Sequence, residues 1–292
     1  MADINRRLWG RVFHAFAGLV ALILIGAWVF IRATHPSPIS LPASCRAPVF
    51  LAHRANSVDA ARAALRHGFC GIEVDVRWRG EFGLVVAHDP LPKSWSSAGS
   101  LSLPGLLDSI PQLPGLIWLD FKNLAPDNAA PAAAYLNEVL ARHGLYGRVI
   151  VEARQPWALW LLHRRAATTL PAYWIPDRPP GLRGLASDFR LGLVTEIFKF
   201  PALSVPKWRL TAQFANRFRR FALFTWTCNT PEEIRTAIDR GARIILTDQP
   251  ASPIASHGSA PIATQLGFEK AHTPAVHIPW ARASPEGLLP DR

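Results

Sequence analysis

Short apolar runs alternate with helix-patterned stretches across residues 49–247, and no other feature constrains the fold of this chain as strongly. Compact apolar runs bounded by turn signals are what strands buried on both faces give. The runs fall at residues 49–53, 70–76, 82–87, 116–121, 148–151, 170–175, 184–187, 221–227 and 243–247. Between them, residues 58–67 carry a helical pattern stopped by Gly68, and residues 129–143 form an alanine-rich helix ending at Gly144. Residues 156–165 and 231–240 read as further helices, the second closed by Gly241. Strands alternating with helices imply parallel βα units. About eight such units in some 200 residues fit a closed, TIM-like (β/α)8 barrel better than an open sheet.

The flanks differ in kind. Residues 12–31 are almost wholly apolar, interrupted only by His14. About 20 apolar residues in a helix match the hydrocarbon thickness of a bilayer, and a signal-peptide core is shorter. A retained, single-pass transmembrane anchor is therefore expected ahead of the barrel. Arg6, Arg7 and Arg11 precede it, so the positive-inside rule puts residues 1–11 in the cytoplasm and the main domain on the extracytoplasmic side. Residues 32–48 hold Pro36, Pro38, Pro42 and Pro48 and read as an extended linker; residues 251–292 read as a Pro/Ala/Ser-rich tail. The domain expected to fold is thus residues 49–250.

The formal net charge is +11. Arg6, Arg7, Arg11 and Arg32 against Asp3 leave +3 in residues 1–32 and +8 in the remainder. Such a balance attracts anionic lipids or phosphorylated substrates as readily as nucleic acid. No basic run interleaved with stacking aromatics is present, nor any zinc-finger motif, so nucleic acid is not an expected partner. Three cysteines, Cys45, Cys70 and Cys228, cannot all pair within one chain. Cys70 and Cys228 read as small buried hydrophobes, with a single disulfide open to a domain outside the cytoplasm.

In a parallel barrel the chemistry sits where strands end, and polar residues collect there. His53 and Arg54 end the first run; Glu73 and Asp75 lie two apart on the second, on one face of a strand. His88 and Asp89 follow the third run, Asp120 and Lys122 close the fourth, and Glu152 follows the fifth. Each alone has an ordinary structural reading, and Glu152 reads equally as a pocket carboxylate or an ion-pair partner. Together, Glu73, Asp75 and Asp120 suit one hard divalent cation such as Mg²⁺ or Ca²⁺. His53 and His88 suit general acid and base, and Arg54 and Lys122 suit a phosphate oxyanion.

The ordered set Ala52-His53-Arg54, Gly71-Ile72-Glu73-Val74-Asp75-Val76, Val86-Ala87-His88-Asp89 and Leu119-Asp120-Phe121-Lys122 resembles the glycerophosphodiester phosphodiesterases, within the phospholipase-C-like superfamily. Phe224-Thr225-Trp226-Thr227 with Asn229, and Leu246-Thr247-Asp248-Gln249-Pro250, resemble the closing signature of that family. The resemblance spans about residues 49–250. It implies a TIM-like barrel that hydrolyses glycerophosphodiesters or phospholipid headgroups with a divalent metal. It implies His53 and His88 as acid/base catalysts, Glu73, Asp75 and Asp120 as metal ligands, Arg54 and Lys122 on phosphate, and Trp226 lining the pocket. The sequence departs at His53-Arg54-Ala55-Asn56-Ser57, a compressed first loop, at Asp120 where many members have Glu, and in the short stretch 92–114. These departures resemble sphingomyelinase D-like and menorin-type relatives. Two alternatives therefore stand beside hydrolysis: a lyase forming a cyclic phosphate, and a catalytically silent, membrane-tethered barrel that binds lipid or phosphate.

Overall fold

A computed structural model describes residues 48–249, apart from positions 93, 97, 112–114, 178 and 180, together with residue 18. The expected cytoplasmic segment 1–11, the anchor 12–31, the linker up to residue 47 and the tail 251–292 thus lie outside the described residues, residue 18 excepted. Among the described residues no helix is long and apolar enough to cross a membrane.

The strands are β1 (Val49–Ala52), β2 (Gly71–Trp78), β3 (Leu84–Val86), β4 (Leu116–Phe121), β5 (Val149–Ala153), β6 (Thr169–Trp174), β7 (Ala202–Pro206), β8 (Ala222–Trp226) and β9 (Ala242–Thr247). They form one sheet in the order β1-β9-β8-β7-β6-β5-β4-β2-β3, and β1 also pairs with β2. That last pairing, parallel like its neighbours, closes eight strands into a barrel. β3 stands apart from the ring as an antiparallel partner of β2. The helices are α1 (Val58–Arg66), α2 (Leu103–Asp108), α3 (Ala129–His143), α4 (Pro156–Arg165), α5 (Gly181–Phe198), α6 (Ala212–Arg217) and α7 (Pro231–Asp239).

The expected (β/α)8 barrel is present, with three corrections to the strand list. Residues 184–187 are not a strand but lie inside α5. Gly181, Gly184 and Gly192 weaken a helical reading of this segment, and packing overrides propensity. The seventh barrel strand is instead β7, Ala-Leu-Ser-Val-Pro, buried at all five positions. No strand is expected over that run, where Pro201 and Pro206 break the strand pattern. The run 82–87 supplies β3, which leaves the ring as a hairpin with β2 rather than a parallel strand.

Strand periodicity sorts the side chains into two layers. Val49 and Leu51 of β1, Leu116 and Trp118 of β4, Ile150, Ala172, Ala202, Phe224, Ile244 and Leu246 pack together inside the ring. The alternate residues, such as Ile72, Val74 and Val76 of β2 or Ile117 and Leu119 of β4, pack outward with the helices. Glu73 and Asp75 therefore share the inward parity, as do Asp120 and Glu152. An acidic set projects into the upper end of an otherwise apolar barrel.

Local signals fix the connections. Ser57 caps α1 by accepting a hydrogen bond from the Ala60 amide, and Gly144 ends α3 in the left-handed region at φ 62°. Thr230 and Glu233 form a capping box at α7. Cys228 is buried and free, its thiol pushed up to about 11 by that burial. Cys70 departs from the expectation of a small buried hydrophobe: it is disulfide-bonded. With Cys228 free, its partner lies outside the described residues.

β2 and β4 approach so closely at their starts that only glycine fits. A Cβ on Gly71 would lie 1.9 Å from the Leu116 carbonyl oxygen. On Gly115 it would lie 1.4 Å from that of Cys70. Either position tolerates a methyl only by parting the two strands that carry the acidic set. Gly71→Ala should therefore lower stability by about 1–3 kcal/mol, the usual cost of overpacking. The midpoint of urea unfolding measures it; an unchanged midpoint would show that the strands can part freely.

Candidate active site

β2, β4 and β5 align the acidic residues in a row. Asp75 is in register with Asp120, and Asp120 with Glu152. Glu73 lies one inward position below Asp75. One oxygen from each of Glu73, Asp75 and Asp120 falls within 4.8 Å of the others, and the first two residues are almost wholly buried. Burial foremost, then the charge of Asp75, pushes the Glu73 carboxyl well above its ordinary range. Burial also raises Asp120, against the pull of Lys122. Three like charges held this close are costly unless a cation joins them.

Lys122 supplies part of that charge. Its Nζ lies 2.7 Å from Asp75 Oδ1 and also binds Asp120 Oδ2. Burial would lower this amine, but the attraction of Asp120 and Asp75 outweighs it and holds the pKa above the ordinary value. One lysine against three carboxylates leaves the cluster anionic, and all-oxygen donors of this kind fit a hard divalent cation.

The compressed loop after β1 is wired to this cluster. The Arg54 amide, in the left-handed region at φ 53°, donates to Glu73 Oε2 at 2.7 Å. Asn56 holds Asp75 at both ends, its Nδ2 donating to Oδ2 at 2.5 Å and its Oδ1 accepting from the Asp75 amide at 2.9 Å. Asn56 thus braces the acidic cluster, a contact that its place in the loop after β1 does not announce in the sequence. Asn56→Ala should weaken divalent-ion binding by about 10- to 100-fold, as loss of a ligand's supporting partner does. Calorimetric titration with Mg²⁺ and Ca²⁺ measures the change, and unaltered affinity would remove Asn56 from this role.

The two histidines flank the cluster differently. His53, 18% exposed, places Nδ1 2.9 Å from Asp248 Oδ1. His88, 41% exposed, places Nδ1 2.8 Å from Asp89 Oδ1. His88 Nε2 lies 2.9 Å from Arg54 Nη2. A guanidinium only donates, so this Nε2 accepts, and the neutral ring carries its proton on Nδ1. Arg77 fixes the backbone here, donating to the His88 carbonyl through Nε and Nη2 at 3.2 and 2.7 Å.

Glu152 sits deeper, 2% exposed, and accepts a hydrogen bond from Trp118 Nε1 at 2.6 Å. Burial, then the charges of Asp120 and Glu73, raises its carboxyl well above the ordinary range, which favours the uncharged acid. Among the described residues no basic side chain forms an ion pair with Glu152. Glu152 thus adds a buried polar group beside Asp120 at the end of the row.

Aromatic rings form the opposite wall. Trp226 donates through Nε1 to Ser204 Oγ at 2.8 Å and stacks on Trp174 at 6.3 Å between centroids; Trp208 meets it edge-on at 5.8 Å. The Arg154 guanidinium lies over Trp174, 4.4 Å from its centroid. Its charge also reaches Asp120, where it opposes in small part the rise that burial causes. Arg154 comes two positions after Glu152, just past the end of β5, a signal the sequence held but which scattered surface arginines obscure.

No protein-family model and no curated protein matches this sequence. Solved structures do resemble its fold. A glycerophosphodiester phosphodiesterase from Parabacteroides distasonis superposes with a TM-score of 0.59 at 18% identity, over 71% of this chain and 95% of that one. An Oleispira antarctica phosphodiesterase, solved with its product sn-glycerol-3-phosphate, gives 0.60 at 16% identity, over 73% and 98%. The enzyme from Thermotoga maritima gives 0.53 at 20%, over 71% and 97%. The chain therefore has the barrel fold of the glycerophosphodiester phosphodiesterases.

Proposed function

We propose that this chain is a metal-dependent phosphodiesterase that hydrolyses glycerophosphodiesters or phospholipid headgroups. The observation that carries the reading is the convergence of Glu73, Asp75 and Asp120 between two histidines at one barrel mouth. The fold shared with phosphodiesterases supports it, one of them holding a glycerol phosphate product.

Glu73, Asp75 and Asp120 would hold one divalent cation, Mg²⁺ or Ca²⁺, which when bound neutralises phosphoryl charge. Asn56 and the Arg54 amide keep the carboxylates in place. Arg54 brings a guanidinium beside His88 that can bind a phosphate oxygen, and Lys122 and Arg154 add positive charge at the same mouth. His53 and His88 divide the proton transfers, one accepting from the attacking oxygen and one donating to the leaving oxygen. Trp226 and Trp174 would offer an apolar face to the leaving group.

Lys122 bound across Asp75 and Asp120, in an Asp-x-Lys arrangement, favours a second reading: attack by a substrate hydroxyl to give a cyclic phosphate, as in sphingomyelinase D-like lyases. Incubation with glycerophosphodiesters, lysophospholipids and sphingomyelin, followed by phosphorus NMR, separates the two. An acyclic phosphomonoester supports hydrolysis and a cyclic phosphate supports the lyase. Binding without turnover of any of them would leave the silent lipid-binding barrel.

We also place the catalytic domain outside the cytoplasm, tethered by residues 12–31. The apolar length of that stretch and the disulfide at Cys70 support this placement.

A further inference from the structure

The register of β5 and β6 places one cation on the aromatic wall. Glu152 is in register with Ala172, which packs inside the ring. Two positions further along, Arg154 and Trp174 keep that inward parity and stand at the mouth. The Arg154 guanidinium rests over the Trp174 ring, 4.4 Å from its centroid, and Trp174 stacks in turn on Trp226. No hydrogen bond or ion pair joins Arg154 to another described residue. A ring rather than a carboxylate holds this cation, and its N–H donors are left for a ligand.

Arg54 lies on the other side of the carboxylate cluster, beside His88. The two guanidinia therefore face different parts of a diester: Arg54 the phosphoryl group, Arg154 the alcohol that lies along the tryptophans. A quaternary ammonium headgroup binds through the face of an aromatic ring. On Trp174 that face already carries a protein cation, so a trimethylammonium group meets repulsion there. A carboxylate or phosphate meets a rigid fork of donors instead.

We propose that Arg154, seated on Trp174, is a specificity-determining residue. It makes the site select diesters whose alcohol carries a negative charge of its own, a carboxylate or a second phosphate, over choline and ethanolamine diesters. The inference rests on the phosphodiesterase reading for the orientation of the diester, and goes beyond it in naming the headgroup class.

Glycerophosphoserine and glycerophosphoethanolamine differ by one carboxylate and so isolate the contact. Calorimetric titration of the full chain, with Mg²⁺ present, should show the serine diester bound about 10-fold more tightly. That is the lower end of what a hydrogen bond to a charged group contributes, because Arg154 is exposed to solvent. Arg154→Gln should bring the ratio to within about twofold of unity, whereas Arg154→Lys, which keeps the charge but not the fork, should retain part of it. Lysophosphatidylserine and lysophosphatidylethanolamine carry the same difference on a lipid. A preference in either pair supports the inference, and the pair that shows it tells whether the headgroup is taken free or from a lipid. Equal or undetectable affinity within both pairs overturns it. So does a ratio that survives Arg154→Gln because all four ligands weaken alike, which would assign Arg154 to the phosphoryl group. Binding is read apart from turnover: the expected ratio without cleavage would keep the inference and count against the phosphodiesterase reading.

Discussion

His53→Ala and His88→Ala should each reduce phosphodiester turnover by about 10²- to 10⁴-fold, the range that acid/base groups contribute. The size of the loss follows from the site. The leaving alkoxide needs a proton and the attacking oxygen must shed one, and these two imidazoles flank the carboxylate cluster. Neither substitution empties the core: the side chains are 18% and 41% exposed, and their partners Asp248 and Asp89 remain solvated. Thermal unfolding should therefore stay close to the parent, which separates lost chemistry from lost fold. His88→Ala carries a further consequence, because Arg54 Nη2 loses its acceptor and becomes free to bind phosphate without proton transfer. Its KM should fall or hold while kcat collapses. Parental turnover in both variants would remove the histidines from the mechanism.

Glu73→Gln should reduce divalent-ion affinity by more than about 100-fold, beyond the loss caused by removing a supporting residue. The substitution keeps the shape of the side chain and an oxygen to accept the Arg54 amide, and deletes one of three crowded charges. The same change should raise the stability of the metal-free protein, because burial and the Asp75 charge make the ionised Glu73 costly. Lower affinity together with higher metal-free stability is a signature that simple misfolding cannot give. The pH dependence has a definite sign. Protons compete with the cation for Glu73, whose carboxyl is raised, so parental affinity should climb with pH through that raised range and flatten above it. Calorimetry at several pH values reads both effects. Unchanged affinity in Glu73→Gln would mean that the cluster is held by Lys122 and its hydrogen bonds alone.

The sequence made the barrel legible because most of its strands are apolar on both faces and so stand out as short runs. It hid β7, which Pro201 precedes and Pro206 ends, and α5, whose glycines weaken the helical pattern. Both are cases where burial in the finished barrel outweighs local preference. Glu73 and Asp75 were legible because two residues two apart on one strand must face the same way. Asn56, Asp248 and Arg154 were not, because their roles depend on partners distant in sequence. Asn56 reaches Asp75 only through the folded loop after β1, and Asp248 reaches His53 only once β9 lies beside β1. The grip of Lys122 on Asp75 likewise needs the β2–β4 register. Sequence spacing shows residues on one element, whereas the supporting contacts run between elements.

The central claim is that the carboxylate cluster holds a cation on which diester cleavage depends. It is tested most directly by stripping the full chain with a chelator and following phosphodiester cleavage by phosphorus NMR as Mg²⁺ or Ca²⁺ is returned. The account predicts no cleavage in the stripped protein and a saturable recovery that Glu73→Gln abolishes. Cleavage that continues in chelator at the parental rate, or that Glu73→Gln leaves intact, would contradict it.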